Sequence, residues 1–218
     1  MYTIDYFEKH IDSLTDKLGS DLFPLVMKME RFQMCTFDFL RETTKWLEAT
    51  QEISDDIKPL IKHAVLPTIS EGAGVFIAAE PNDYYRLISI VPLVNVGSGN
   101  RIQKAKKVYI VKEGQRQAYE RDPHRKPSGL YPHVYRYAKV FEIKVESNNV
   151  DVIDQAKIVY VKTPTFGNIF NPSDIIVDLP ISAVEQICLK TADSLRFTAG
   201  DEAAGPNYQF NNTYGKRN

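Results

Sequence analysis

The sequence predicts an α+β fold. An N-terminal helical hairpin and a C-terminal helix form a helical layer, and an antiparallel β-sandwich or barrel-like domain is inserted between them. Three observations carry this. Apolar residues recur at three- and four-residue spacing from Ile4 to Trp46. From Ile57 that spacing gives way to Pro, Gly and Tyr among Val and Ile. Helical spacing returns after Pro180 and stops at Gly200. The expected organisation is 1–55 hairpin, 56–177 β-rich domain with an excursion at 97–130, 178–200 closing helix, and 201–218 extended C-terminal arm.

The first helix follows from the stripe Ile4, Phe7, Ile11, Leu14 and Leu18. Asp5 and Glu8 resemble a capping box slightly inside its start, and Gly19 ends it. Ser20 or Asp21 can cap the second helix, with Pro24 in its first turn. Leu22, Leu25, Met29, Phe32, Thr36, Phe39, Thr43 and Trp46 form its stripe, which Thr36 and Thr43 weaken. Two such stripes joined by a short turn read as a helical hairpin, which is core or in part docks a neighbouring subunit.

Strands are expected over 74–79, 84–91, 107–112, 134–145, 151–153 and 157–162, with a hairpin turn at 146–149 and a short apolar strand at 175–177. Phe141, Ile143 and Val145 alternate with Glu142 and Lys144, as on a sheet with one buried face. The excursion 97–130 reads as a long exposed loop or hairpin. It carries the basic residues Arg101, Lys104, Lys106, Lys107, Arg116, Arg121, Arg125 and Lys126. Ser182 and Glu185 match a capping box for the closing helix, although Pro180 is an alternative first helical residue. Val184, Ile187, Cys188, Thr191, Ala192, Leu195 and Ala199 form a stripe expected to pack on the N-terminal hairpin. The Gly/Asn-rich tail carries Tyr208, Phe210 and Tyr214, spaced as in an arm that orders on a partner.

Composition narrows the function. The chain has 218 residues, 43% hydrophobic and 25% charged, which is ordinary globular usage. No run of apolar residues is long enough for a spanning helix, so no membrane partner is expected. The N-terminus lacks the basic and apolar blocks of a signal peptide, and the two cysteines, Cys35 and Cys188, lie in helical patterns. Both facts predict a chain kept inside a cell with reduced thiols. Lys and Arg number 27 against 28 Asp and Glu, so any nucleic-acid contact must be local rather than global.

Catalytic motifs are not evident. His10, His63, His124 and His133 show no metalloprotease spacing, and none lies near a cysteine at zinc-ligand spacing. There is no Gly-x-Ser-x-Gly elbow, and Gly97-Ser98-Gly99 is a turn signal rather than a dinucleotide or phosphate loop. The acidic pairs Asp55-Asp56, Asp151/Asp154 and Asp201-Glu202 carry no signal that selects them as a catalytic pair. The expectation is a non-enzyme without cofactor or metal. The basic excursion, interleaved with Tyr109 and Tyr119, suits a subunit-facing loop or a phosphate backbone.

Three ordered segments resemble one family. They are Glu80-Pro81-Asn82-Asp83-Tyr84-Tyr85-Arg86-Leu87; Asp122-Pro123 through Pro127 to Tyr131-Pro132 and Tyr135; and Val159-Tyr160-Val161-Lys162-Thr163-Pro164 followed by Val177-Asp178-Leu179-Pro180 and a helix. This order is similar to that of head-to-tail connector proteins of tailed bacteriophages, also called adaptor or neck ring proteins. The tone of the sequence resembles ring proteins of crAss-like phages. The resemblance implies a virion structural protein of the neck, assembled in the host bacterial cytoplasm. It implies a homo-oligomeric, roughly twelvefold ring between the portal protein and the next neck or tail ring protein, enclosing the DNA channel. On that reading Tyr208, Phe210 and Tyr214 contact a neighbour, and the basic excursion faces the channel, with non-specific contact to its DNA, or faces a partner. The alternatives are another capsid- or tail-associated structural protein, or a nucleic-acid-binding module that uses the basic loop 101–126.

Overall fold

The computed structural model describes residues 2–15, 23–50, 52–96, 101–105, 107–111, 113–122, 126–145 and 151–198. The chain runs through α1 (Ile4–Leu14), α2 (Leu25–Thr50), a 3-10 turn (Asp55–Leu60), β1 (Ile61–Pro67), β2 (Ile69–Gly72), β3 (Val75–Ala79) and β4 (Tyr84–Val96). It continues with β5 (Arg101–Lys104), β6 (Tyr109–Val111), a 3-10 turn (Glu113–Gln115), α3 (Arg116–Arg121), β7 (His133–Tyr137), β8 (Val140–Lys144), β9 (Asp151–Lys162) and α4 (Ile181–Thr198). The fold is α+β and forms two compact units. The described residues of Met1–Leu60 and Pro164–Asn218 make a helical unit, and Ile61–Thr163 make a sheet unit. The segment 164–177, expected in the β-rich part, therefore belongs with the helices.

In the helical unit, α4 packs against both α1 and α2. Ile4, Phe7 and Ile11 of α1, Ile187, Cys188 and Leu195 of α4, and Phe32 and Leu40 of α2 are all buried. The rings of Phe7 and Phe32 stand edge to face at 4.9 Å. Of the two threonines expected to weaken the α2 stripe, Thr36 is fully buried and Thr43 half-buried, and each hydroxyl donates to a carbonyl one turn back, Phe32 at 2.8 Å and Phe39 at 2.9 Å. Lys28 is also buried, with its ammonium against Asp12 and 4.0 Å from Glu8, so a charge pair pins α2 to α1. Leu18, Gly19, Ser20, Asp21, Leu22, Ala199 and Gly200 lie outside the described residues.

The helix ends differ from the sequence expectation. The cap of α1 is Thr3, whose hydroxyl oxygen accepts from the Tyr6 amide at 3.3 Å; Asp5 instead pairs with Lys9 at 2.8 Å. The first turn of α4 closes through Val184 N–H donating to the Pro180 carbonyl at 3.0 Å. Ser182 therefore lies inside the helix, and its hydroxyl donates to Asp56 at 2.8 Å. The segment 175–177 is not a strand. It makes isolated bridges, Thr3 with Ile175 and Phe166 with Val177. Ile176 is fully buried between two backbones, donating to Tyr2 at 3.0 Å and accepting from Gly167 at 3.0 Å.

The sheet unit holds two sheets, in the orders β1-β9-β4-β5 and β2-β3-β8-β7-β6. Their inner faces share one core, with Ile90, Val94, Ile153 and Ile158 from the first and Phe76, Val134, Phe141 and Ile143 from the second. The arrangement is a sandwich without barrel closure. The first sheet is antiparallel, but β6 pairs with β7 in parallel, Tyr109 opposite His133, so the second sheet is mixed rather than purely antiparallel. A parallel pair needs a crossover. The chain between β6 and β7 provides it and carries α3, so the excursion, expected as a long loop or hairpin with a strand over 107–112, holds β5, β6 and α3. The run 134–145 is two strands and not one. It turns at Ala138 and Lys139, with φ of 45° and 67°, the primed-turn geometry that suits a two-residue hairpin. Residues 151–162 form one strand, and the turn expected at 146–149 lies outside the described residues.

Two substitutions test this packing. Leu195 is fully buried, so Leu195→Asp is expected to cost about 3 kcal/mol or more in denaturant unfolding through an unpaired buried charge. At Gly167, an added Cβ would collide with the Ile175 carbonyl oxygen, which belongs to backbone and cannot swing away. Gly167→Ala is expected to lower stability by about 1–3 kcal/mol, with a wild-type-like urea midpoint as the contrary result.

Candidate functional site

The groups that can meet a partner fall into two sets in the sheet unit and one in the helical unit. In the sheet unit, the excursion is anchored by Arg116. Its guanidinium donates to both carboxylate oxygens of Glu142, at 2.7 and 3.3 Å, and lies 4.7 Å from the Tyr135 ring centre. Glu142 and Tyr135 are cross-strand partners on β8 and β7, and both are buried. Arg116, expected to face a channel or partner, is thus engaged inside its own unit. Behind it, Tyr109 and Tyr119 each stand 5.7 Å from the ring of His133, which is itself buried and 3.3 Å from the Tyr135 hydroxyl. The aromatic residues interleaved with the basic ones therefore hold α3 on the sheet.

What the excursion presents outward is smaller. Lys107, Arg121 and Lys126 are exposed, with Lys107 5.0 Å from the ring centre of Tyr109. Ile110 and Tyr131 are also exposed. Arg101 and Lys104 sit on β5, paired opposite Val96 and Leu93. Lys106 and Arg125 lie outside the described residues, as do Tyr208, Phe210 and Tyr214 of the expected arm.

A second charged network in this unit was not read from the sequence. Asp83 accepts from Lys62 at 2.7 Å and from the Tyr160 hydroxyl at 2.8 Å, while its carbonyl accepts from the Thr163 amide at 2.7 Å. The Lys62 ammonium, helped by Tyr160, holds the Asp83 carboxyl below the usual carboxylate range. Burial, with the Asp83 charge adding to it, pushes the Tyr160 phenol up to about 12. Tyr160 stacks on Tyr84 at 5.9 Å, and Arg136 lies 4.8 Å from the Tyr84 ring centre while pairing with Glu80. Pairwise neutralised groups of this kind brace the Glu80–Leu87 segment. The signal for them, a Pro-Asn-Asp turn opening a strand, was visible, but the partners lie up to 77 residues away.

In the helical unit, Phe39, Thr43 and Trp46 of α2, Ser54 and Asp56 of the following turn, and Gln186 and Lys190 of α4 line a hollow of about 420 Å³ together with Glu42. Lys190 donates to Glu42 at 2.7 Å across it. Trp46, on a stripe expected to be core or in part to dock a neighbouring subunit, is 47% exposed here. Other apolar side chains are also exposed, namely Val26 and Met34 on α2, Ile181, Leu189 and Phe197 on α4, and Phe170 at 87%. His10 stacks on Tyr6 at 5.9 Å instead of projecting alone into solvent.

Among the described residues, no group of three or more His, Cys, Asp or Glu is placed to hold a metal ion, and no helix is long and apolar enough to cross a membrane. Charge is segregated between the units. Counted over the whole sequence, the sheet unit's span has sixteen Lys and Arg against ten Asp and Glu, a formal +6, and the helical unit's span has eleven against eighteen, a formal −7. No protein-family model and no curated protein matches the chain.

Two outcomes test the sheet-unit networks. Folded-state Asp83 titrates below its unfolded value, so its contribution is complete above about pH 4 and is lost as pH falls through the lowered pKa. Asp83→Asn should flatten the acid limb of the urea midpoint plotted against pH. Arg116→Gln should speed amide exchange across 113–122 with little change in the helical unit; uniform protection would show that the ion pair does not hold α3.

Proposed function

We propose that this chain is a virion structural protein of a tailed-phage neck, one subunit of a ring that joins the portal to the tail around the DNA channel. The observation that carries the reading is the helical unit's surface. Its helices bury one apolar face and leave Val26, Met34, Trp46, Ile181, Leu189 and Phe197 exposed on others. Apolar exposure on that scale fits surfaces that are covered in an assembly. The ordered resemblance of the Glu80–Leu87, Asp122–Tyr135 and Val159–Pro180 segments to neck ring proteins supports the same class. A closed ring needs heterologous faces, one surface of each copy fitting a different surface of the next. It does not need a nucleophile or a metal. On this reading the partners are the copies of the chain itself in a roughly twelvefold ring, the portal protein and the next neck or tail ring protein. The site of action is the neck of the virion.

A second reading has its own observation. The sheet unit's formal +6, with Lys107, Arg121 and Lys126 exposed, suits contact with a phosphate backbone, either in a channel or as a free nucleic-acid-binding module.

Counting the chain against the major capsid protein by quantitative mass spectrometry of purified particles tests the first reading. A low, fixed copy number, near one ring per particle, is expected. Complete absence from particles would overturn the neck reading. Salt-dependent DNA binding by the purified protein would then favour the second.

A further inference from the structure

We infer that successive copies contact through opposite charge, the acidic helical unit of one copy docking at its Trp46 hollow onto the basic excursion of the sheet unit of the next. The inference rests on the ring reading and adds which surfaces meet. Both surfaces carry exposed apolar side chains as well as charged ones. On the helical unit the half-exposed Trp46 lies over Phe39 and Thr43, and Ile53 is exposed nearby in sequence. Glu42, Asp56 and Lys190 line the hollow, with Lys190 paired to Glu42, and Glu52 and Asp55 flank it in sequence, with Asp55 paired to Lys58, so the acids outnumber the bases there. On the sheet unit the excursion leaves Ile110 and Tyr131 exposed, and Lys107, Arg121 and Lys126 are exposed as well. The formal charges of the two spans, −7 and +6, nearly cancel. A like-unit contact would set −7 against −7 or +6 against +6, and like-charge juxtaposition is penalised. An unlike contact is attractive, and because it joins different surfaces it propagates from copy to copy until rotation closes it.

The full chain carries its own reporter, since Trp46 is its single tryptophan. Trp46 emission and sedimentation are followed together against protein concentration, at about 50 mM and about 500 mM salt. Association with a blue shift of Trp46 is expected, with the apparent dissociation constant rising at least tenfold at the higher salt. Two variants sharpen the test. One is the pair Glu52→Lys with Asp55→Lys; the other is Arg121→Glu with Lys126→Glu. Each alone should stay dissociated at concentrations where the wild type assembles. A mixture of the two should regain assembly, because each then offers the other a complementary surface. Association that leaves Trp46 emission unchanged, or that is indifferent to salt, would overturn this contact while leaving the ring intact. A chain that stays monomeric at every concentration and salt would overturn both. Variants that misfold are recognised by loss of the wild-type urea midpoint, and the wild-type salt series then decides alone.

Discussion

The pairing of β1 with β9 is the constraint on which the architecture depends. β1 enters the sheet unit and β9 leaves it, and the two run antiparallel with Ile61 opposite Val161 and Lys62 opposite Tyr160. The way in and the way out are therefore ladder neighbours. A domain of about a hundred residues can be inserted at one point without separating the flanking helices, because the closure cost is met inside the insertion by backbone hydrogen bonds. The Asp83 network sits on the same boundary, tying Lys62 near the start of the insertion to Tyr160 and Thr163 at its end. With that junction closed, α4 can complete a helical core begun more than a hundred residues earlier.

Charged residues serve two ends in this chain. Some are spent internally and join segments distant in sequence, as in Lys28 with Asp12, Arg116 with Glu142 and Arg136 with Glu80. The remainder is sorted by unit, with opposite signs on the helical and sheet spans. A net charge of −1 conceals this sorting entirely. Long-range attraction between unlike units would accelerate encounter and select its orientation, while the exposed apolar residues would supply area once contact is made. Such a division of labour suits a subunit that must find its neighbours quickly and in one orientation.

The helices were legible because a three- and four-residue apolar repeat survives tertiary context, and the stripe from Val184 to Leu195 is buried as read. The helix ends were less so. Thr3 competed with Asp5 as a cap, and only the chain direction before the helix decided between them. The hairpin at Ala138-Lys139 carries neither Gly nor Asn, so its left-handed turn left no mark in the sequence. The parallel pairing of β6 and β7 was equally silent, since three residues of strand set no register. Arg116 shows the limit for sites. Its position in a basic run made it look like surface charge, and its partners Glu142 and Tyr135 come into view once β7 and β8 pair. Trp46 erred the other way, since its place on an apolar stripe hid the hollow beside it.

The two thiols carry a consequence of their burial. Cys35 and Cys188 are both buried in the helical unit, and burial pushes the Cys188 thiol up to about 12. At neutral pH the thiolate, the form that attacks disulfides and oxidants, is then scarce. A subunit of the proposed neck ring would pass from a reducing cytoplasm to air-saturated surroundings, a large change in redox poise. Burial that keeps both thiols protonated slows their oxidation across such a change.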